Sequence, residues 1–421
     1  MSTERAEGRT VIQNIFLISV IFLIYVRPYE EVSFLESFQL TRIFVVLALV
    51  GCLLNSFYRR YHSESIIREN TVKWFIALQI ISVISVFFSI WSSNSLDRIL
   101  STNTKIVIVF FILSSLIYSR KQLLLFLNTI YVSVSLFSIR VIVAYQQGQY
   151  VIDSETKRIA GIGTLGSDDP NDIALVLSMT VPIGLFFVLK SSGKLKVFYF
   201  ALLCIIFVAL AATGSRGGLL GLVMGVTVFF GLLYRKQKIK FLSVMLVLFI
   251  SLITFLPGAY KERFMSMLDT SEYSYSDDQY GRINIWRRSV AALMQRPIGY
   301  GMGNSIIAEG KQKEREGTSG KWMVVHNTFL QIALELGIIG LFVYLMFLYS
   351  SFRNGLFVLR ESIENLDKEY VLLSCGLVAG LSAFMISGIF LSQAYYWNTY
   401  IFIALILGLK RTTMISTNEK D

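Results

Sequence analysis

Long apolar runs alternate with short polar segments along nearly the whole chain. The runs are about 14 to 22 residues long, the length of a helix that crosses a hydrocarbon core of about 30 Å. Only helices satisfy their backbone polar groups within one such segment. The pattern predicts an all-α polytopic membrane protein, with residues 1–421 in one integral membrane domain. Twelve spans are expected to begin near residues 11, 43, 74, 105, 123, 171, 195, 217, 239, 328, 370 and 396.

Composition and charge fit this class of protein. The chain is 54% hydrophobic and only 16% charged, against about 25% charge in soluble domains. If the N-terminus lies in the cytoplasm, the loops that hold most of the lysine and arginine also lie on the cytoplasmic side. This topology places the C-terminus in the cytoplasm as well. The net charge of +11 is then a result of topology, and no basic motif indicates a nucleic-acid partner. The first apolar run lacks a small-residue cleavage site, which favours a retained helix.

The opposite side of the membrane, called the outer side below, is expected to carry the chemistry. It receives a loop of residues 258–325 between the ninth and tenth spans, and a loop of that length is uncommon without a function. The three cysteines lie in apolar runs without metal-site spacing, so they are interpreted as packing residues. No disulfide framework and no zinc site are implied.

The segment "TGSRGG" at 213–218 places Arg216 between two apolar runs on the outer side. Its glycines, among them Gly217, let the backbone approach a ligand, and the next helix begins with free N–H groups that attract anions. An arginine there suits phosphate oxygens. The alternative is an arginine that merely reaches the membrane interface from a loop end.

A second candidate lies in the large loop. Apolar residues recur there at helical spacing, at Ile283, Trp286, Val290 and Leu293. This spacing predicts an amphipathic helix that lies along the membrane surface and ends before Pro297. Arg282 occupies its first turn, and Arg287 and Arg288 are expected on or near the polar side. Such arginines can equally serve solvation or anionic membrane lipids.

The third candidate is the run 158–182, from Arg158 through "SDDPND" into the sixth span. Pro170 is expected to start a helix here. The polar residues around it are expected mainly to cap that helix, namely Asp168, Asp169, Asn171 and Asp172. Divalent-cation binding by the three carboxylates is the less favoured interpretation.

One of only two histidines, His326, stands with Asn327 at the outer end of the tenth span. Glu335 lies nine residues further into the apolar run, where a carboxylate suggests function by default. On one straight helix it would lie on roughly the opposite face and ~13 Å deeper, so a direct pair with His326 is not expected. A near-neutral histidine could accept a proton from an acceptor hydroxyl while arginines stabilise charge on a phosphate.

With "TGSRGG", "GRINIW", "RPIGYGMGN" and "HNTFLQIALELGIIGL" in this order, the sequence resembles the O-antigen ligase and O-antigen polymerase superfamily of bacterial inner-membrane glycosyltransferases. The resemblance implies a GT-C-like fold and an undecaprenyl-diphosphate-linked glycan as donor, transferred en bloc to a lipid or glycan acceptor on the periplasmic side. It implies that Arg216 and Arg282 bind the diphosphate and that His326 deprotonates the acceptor, with no metal and no cofactor expected. Further substrate contacts are expected from Ser215, Gly217, Asn327, Trp286, Arg288, Arg158, Asn171 and Glu335.

Within the superfamily, a ligase acting on lipid A-core is favoured slightly over an O-antigen or exopolysaccharide chain polymerase. The short polar C-terminal tail disfavours the branch of general protein O-oligosaccharyltransferases. A transporter or flippase for a lipid-linked or anionic substrate stays open because Arg140 lies within an apolar run. A purely structural role in envelope assembly is also open.

Overall fold

The computed structural model describes residues 14–27 except 16, and residues 68–153, 156–159, 169–243, 281–318 and 320–418. The spans expected near residue 43 and, for the most part, near residue 239 lie outside these ranges, as does the first part of the large loop. The described helices are α1 (Leu17–Val26), α2 (Asn70–Ser85), α3 (Ser92–Arg98), α4 (Thr104–Leu116), α5 (Arg120–Gln146), α6 (Pro170–Lys190), α7 (Gly193–Thr213), α8 (Arg216–Leu233), α9 (Arg282–Gln295), α10 (Ser305–Arg315), α11 (Thr328–Glu364), α12 (Lys368–Ser387) and α13 (Trp397–Asn418).

The fold is all-α and polytopic, as the hydrophobic pattern predicts. Seven helices within the described residues are long and apolar enough to cross a membrane. A π-helical stretch, Ile99–Asn103, joins α3 to α4, so the two form one continuous span. The exception to helix is a small antiparallel hairpin of β1 (Tyr150–Asp153) and β2 (Thr156–Ile159), in which Val151 pairs with Arg158.

An aromatic cluster forms part of the core between α2, α4, α11 and α13. The ring of Phe75 lies 4.0 Å from that of Phe110 and 5.6 Å from that of Phe347, and the ring of Phe347 lies 5.9 Å from that of Tyr400. Buried Cys375 packs in the core as expected, whereas Cys204 is exposed on the surface of α7.

A stripe of glycines lets α8 pack closely against α6 and α12. A Cβ on Gly218 would lie 2.4 Å from the Ala174 side chain, and one on Gly221 would lie 2.0 Å from the hydroxyl of Ser387. Small residues at this spacing allow helix backbones to approach in membranes. The close packing brings the starts of α6 and α8 together.

At Gly337 the long helix α11 is broken, with φ 73° and ψ −174°. The loop 296–304 supplies the hydrogen bonds that the break leaves open. Tyr300 N donates to Leu334 O (2.7 Å), Gly301 N to Glu335 O (2.9 Å) and Ile338 N to Pro297 O (2.9 Å). Backbone groups at membrane depth need such partners, so this part of the large loop is built into the helical domain.

Candidate active site

The starts of α6 and α8 are tied together by their capping residues. Ser215 Oγ accepts from Gly218 N (3.1 Å) and donates to the side-chain oxygen of Asn171 (2.7 Å). The backbone N–H and the side-chain amide of Asn171 both donate to Asp169 Oδ1 at 2.8 Å. Sequence reasoning predicts the Asp169 cap; the link from Ser215 to Asn171 depends on how the helices pack.

Arg216 is the first residue of α8 and is half-buried. It follows Gly214, whose left-handed backbone (φ 57°) ends α7. Arg216 therefore stands in the first turn of a helix, where the helix dipole favours an anion. Gly217 packs closely on a neighbouring segment, because a Cβ there would lie 3.1 Å from Phe390.

His326 lies within electrostatic range of both Arg282 and Asp169. Its backbone adopts the left-handed conformation (φ 49°), which is uncommon outside glycine and costs on the order of 1–3 kcal/mol. Asn327 follows and caps α11, its side-chain oxygen accepting from Phe329 N (2.9 Å) and Leu330 N (3.0 Å).

The surroundings of His326 favour its neutral form. Burial lowers the pKa of the imidazole from its usual value of 6.5, and the positive charge of Arg282 lowers this pKa further. The Asp169 carboxylate opposes the shift by raising the pKa. The net effect is a histidine that is unprotonated near neutral pH and able to accept a proton.

Helix α9 forms in the segment where the hydrophobic spacing predicts it, and Arg287 is exposed as expected, but the prediction that Arg288 lies on or near the polar side is wrong. Arg288 is buried and forms an ion pair with Glu309 of α10, with its Nε 2.7 Å from Oε1. Ile283 and Val290, on the apolar side expected to face the membrane, are exposed on the surface of the protein. The reason is that a charge-paired arginine can pack between helices, while apolar side chains remain on a surface that membrane lipid can cover.

Trp286 makes a specific contact next to the histidine. Its indole Nε1 donates to the carbonyl oxygen of Val325 (3.0 Å), the residue before His326. Its ring lies 6.3 Å from the ring of Phe390.

Glu335 is almost fully buried just before the helix break. Its carboxylate accepts from Gly303 N (2.8 Å) and lies 3.5 Å from the side-chain amide of Gln331. Glu335 thus contacts the loop 296–304. The charges that act on His326 are instead those of Arg282 and Asp169.

The remaining predicted residues are distributed as follows. Arg158 lies on strand β2. Asp172, in the first turn of α6, accepts a hydrogen bond from Gln393, while Asp168 lies outside the described residues. Asp169 therefore caps α6, as the sequence predicts, whereas Asp172 contacts Gln393 in the segment before α13.

The segment 388–396 between α12 and α13 was missed by sequence reasoning. It contributes Phe390 beside Gly217 and Gln393 beside Asp172, and Leu391 O accepts from the hydroxyl of Thr328 (2.6 Å). Its sequence, "IFLSQAYYW" at 389–397, interrupts two apolar runs with polar and aromatic residues, which is the signal that could have drawn attention to it.

These features describe a multi-pass helical membrane protein in which the starts of α6 and α8 are joined and His326 lies within electrostatic range of Arg282 and Asp169. Residues 198–345 match the model of the family described as O-antigen ligase. Over these residues the chain is similar to that family, in agreement with the resemblance that its motifs predict. Arg216, Arg282 and His326 all lie within the matched residues.

Two curated proteins are similar at low identity. One is the ComP-specific O-oligosaccharyltransferase of Acinetobacter baylyi, 25% identical over 203 residues, which are 46% of this chain and 37% of that protein. The other is a candidate polysaccharide ligase of Rickettsia conorii, 26% identical over 206 residues, 48% of each chain. The matched regions thus span less than half the length of each relative.

Proposed function

We propose that the protein is a glycosyltransferase of the O-antigen ligase type. It transfers a glycan en bloc from undecaprenyl diphosphate to an acceptor hydroxyl, with its site on the periplasmic face of the bacterial inner membrane. The observation that carries the proposal is that His326 lies within electrostatic range of Arg282 and of Asp169, and that Asp169 is hydrogen-bonded through Asn171 to Ser215 at the helix start of Arg216. The O-oligosaccharyltransferase and polysaccharide-ligase names of the relatives support the reaction class.

In the proposed reaction, His326 takes the proton of the acceptor hydroxyl. The acceptor oxygen forms a bond to the anomeric carbon of the donor sugar, and the bond from that carbon to the diphosphate oxygen breaks. The leaving undecaprenyl diphosphate keeps the electron pair, and Arg216, Arg282 and the α8 start stabilise its negative charge. The proton stays on His326 until product release.

The decisive experiment is transfer by purified protein. The protein is mixed with an undecaprenyl-diphosphate glycan and a panel of acceptors, namely lipid A-core, a second lipid-linked glycan and a serine-containing protein, and products are identified by mass spectrometry. His326→Ala should abolish transfer, whereas His62→Ala, at the chain's other histidine, should retain it. The acceptor consumed distinguishes ligase, polymerase and protein glycosylation.

A different class of function predicts a different result. If the wild-type protein forms no new glycosidic bond but moves the lipid-linked glycan across vesicle membranes, the proposal fails in favour of a transporter or flippase. Retention of full transfer by His326→Ala would leave the reaction class intact but remove the histidine from its mechanism.

A further inference from the structure

The backbone that leads into His326 is held by the two surface helices α9 and α10. Trp286 Nε1 of α9 donates to Val325 O (3.0 Å), and Glu309 Oε2 of α10 accepts from Met323 N (3.1 Å). The peptide groups of Met323 and Val325 are thereby fixed within three residues of the histidine.

The α10 contact is itself rigid, since Glu309 is fully buried and is paired with buried Arg288 of α9. A carboxylate that accepts from both a guanidinium and a backbone N–H leaves little freedom to any of the three groups. Helices α9 and α10 therefore act as one unit against residues 323–325.

The chain is equally well held after His326. Asn327 caps α11, Thr328 N donates to Gly388 O (2.7 Å), and the Thr328 hydroxyl donates to Leu391 O (2.6 Å). His326, in its left-handed conformation, is the residue between these two anchored segments. Such a conformation persists only where the surrounding contacts hold it.

We propose that Trp286 is a positioning residue, which orients His326 by holding the preceding peptide group through its hydrogen bond to the Val325 carbonyl. This inference rests on the proposed function and reassigns Trp286, expected from the sequence to bind substrate directly. The indole N–H, the polar handle with which a tryptophan would bind a sugar, is already used by Val325 O.

Two measurements on the full-length protein test the proposal, both with Trp286→Phe, which keeps an aromatic ring near Phe390 but removes the N–H. The matched control is Trp91→Phe, at an exposed tryptophan before α3. Thermal midpoints and size-exclusion profiles in detergent verify that each variant is folded.

The first measurement is the kinetics of glycan transfer. Trp286→Phe should lower kcat about fivefold to tenfold, the effect of one lost hydrogen bond on alignment, with KM for the donor within about twofold. Trp91→Phe should match wild type. An unchanged kcat in Trp286→Phe, or a higher KM with kcat unchanged, would overturn the proposal, and the latter would indicate direct sugar binding.

The second measurement does not depend on activity. Because the chain has only two histidines, isotope labelling of histidine in the His62→Gln background leaves one imidazole signal, which reports on His326 by NMR. Trp286→Phe should move the pKa of that imidazole toward the value of an ordinary histidine, since the ring is no longer held in its buried position. An identical titration curve would exclude a positioning role. If wild type transfers no glycan at all, the proposed function fails, and this titration still decides whether Trp286 positions His326.

Discussion

The side chains of Ser215 and Asn171, 44 positions apart in the sequence, meet in a hydrogen bond of 2.7 Å that joins the first turns of two membrane helices. Ser215 at the same time caps α8 through Gly218 N. One hydroxyl thus fixes the start of α8, and with it Arg216, relative to Asp169 and the histidine beside that carboxylate.

Ser215→Ala should therefore cost about 1–2 kcal/mol of stability, the sum of a lost cap and an unpaired amide oxygen. The control is Ser382→Ala, because the Ser382 hydroxyl donates only within its own helix, to Val378 O. Thermal unfolding in detergent should show a clear drop in midpoint for Ser215→Ala and a small one for Ser382→Ala. Equal drops would mean that the link between α6 and α8 adds nothing.

At His326 the left-handed backbone makes glycine and alanine unequal replacements. His326→Gly should be about 1 kcal/mol more stable than His326→Ala, because only glycine adopts φ 49° without strain. Both variants should lose transfer, and millimolar imidazole should restore it partly, and more in the glycine variant, whose cavity is larger. Thermal midpoints and rates with added imidazole check both points. No rescue in either variant would contradict a role as base.

Gly337→Ala should destabilise the protein by about 3 kcal/mol or more. A Cβ there would lie 2.4 Å from Pro297 O, in a backbone conformation that only glycine adopts readily. Gly148→Ala is the control for strain alone, since Gly148 also has positive φ but nothing within 4 Å of a Cβ. Thermal unfolding of the two variants separates the contribution of overlap with the loop from that of φ.

Arg216→Ala should lower kcat/KM about 10²- to 10³-fold, the usual effect of removing a donor to charge that develops in a transition state. Arg216→Lys should recover only part of this loss, since an ammonium lacks the forked geometry for two phosphate oxygens. Arg360→Ala, at an exposed arginine paired only with Glu364 one turn away, should leave the rate unchanged. Lysine restoring full activity would argue against bidentate diphosphate binding.

The pH dependence of kcat/KM, which follows ionisations of the free enzyme, should report the charges of Arg282 and Asp169 near His326. Because the neutral imidazole is the active form and its pKa lies below 6.5, activity should be flat at neutral pH and fall as the pH drops through this lowered value. Arg282→Gln removes a charge that lowers the pKa, so the residual activity should fall at a higher pH than in wild type. Asp169→Asn removes a charge that raises it, so the fall should move to lower pH. Shifts in the same direction for both variants would contradict this arrangement.

Helix starts were predictable from local chemistry. Spans expected near 171, 217 and 328 begin at Pro170, Arg216 and Thr328, because Asp169, Ser215 and Asn327 are capping residues whose effect is confined to the next three positions. The positions of three motif residues at or near helix starts, namely Arg216, Arg282 and His326, were also predictable.

Long-range pairing was not predictable in the same way. The buried face of α9 depends on Glu309, 21 positions from Arg288, and the helix break at Gly337 depends on carbonyl and N–H groups of the loop 296–304. Periodicity along one helix contains no information on a partner that arrives from elsewhere, so an arginine assigned to the polar side proves to be buried.

The order of the loop 296–304 and α11 along the chain has a consequence for biosynthesis. A membrane protein leaves the ribosome from its N-terminus, so this loop emerges before the broken helix that it pairs with. When α11 reaches the bilayer, the groups that bond to Leu334, Glu335 and Ile338 have already been synthesised. The backbone groups left without partners at the helix break can therefore form their hydrogen bonds as soon as α11 is inserted. If the loop followed α11 along the chain, these groups would face lipid during insertion.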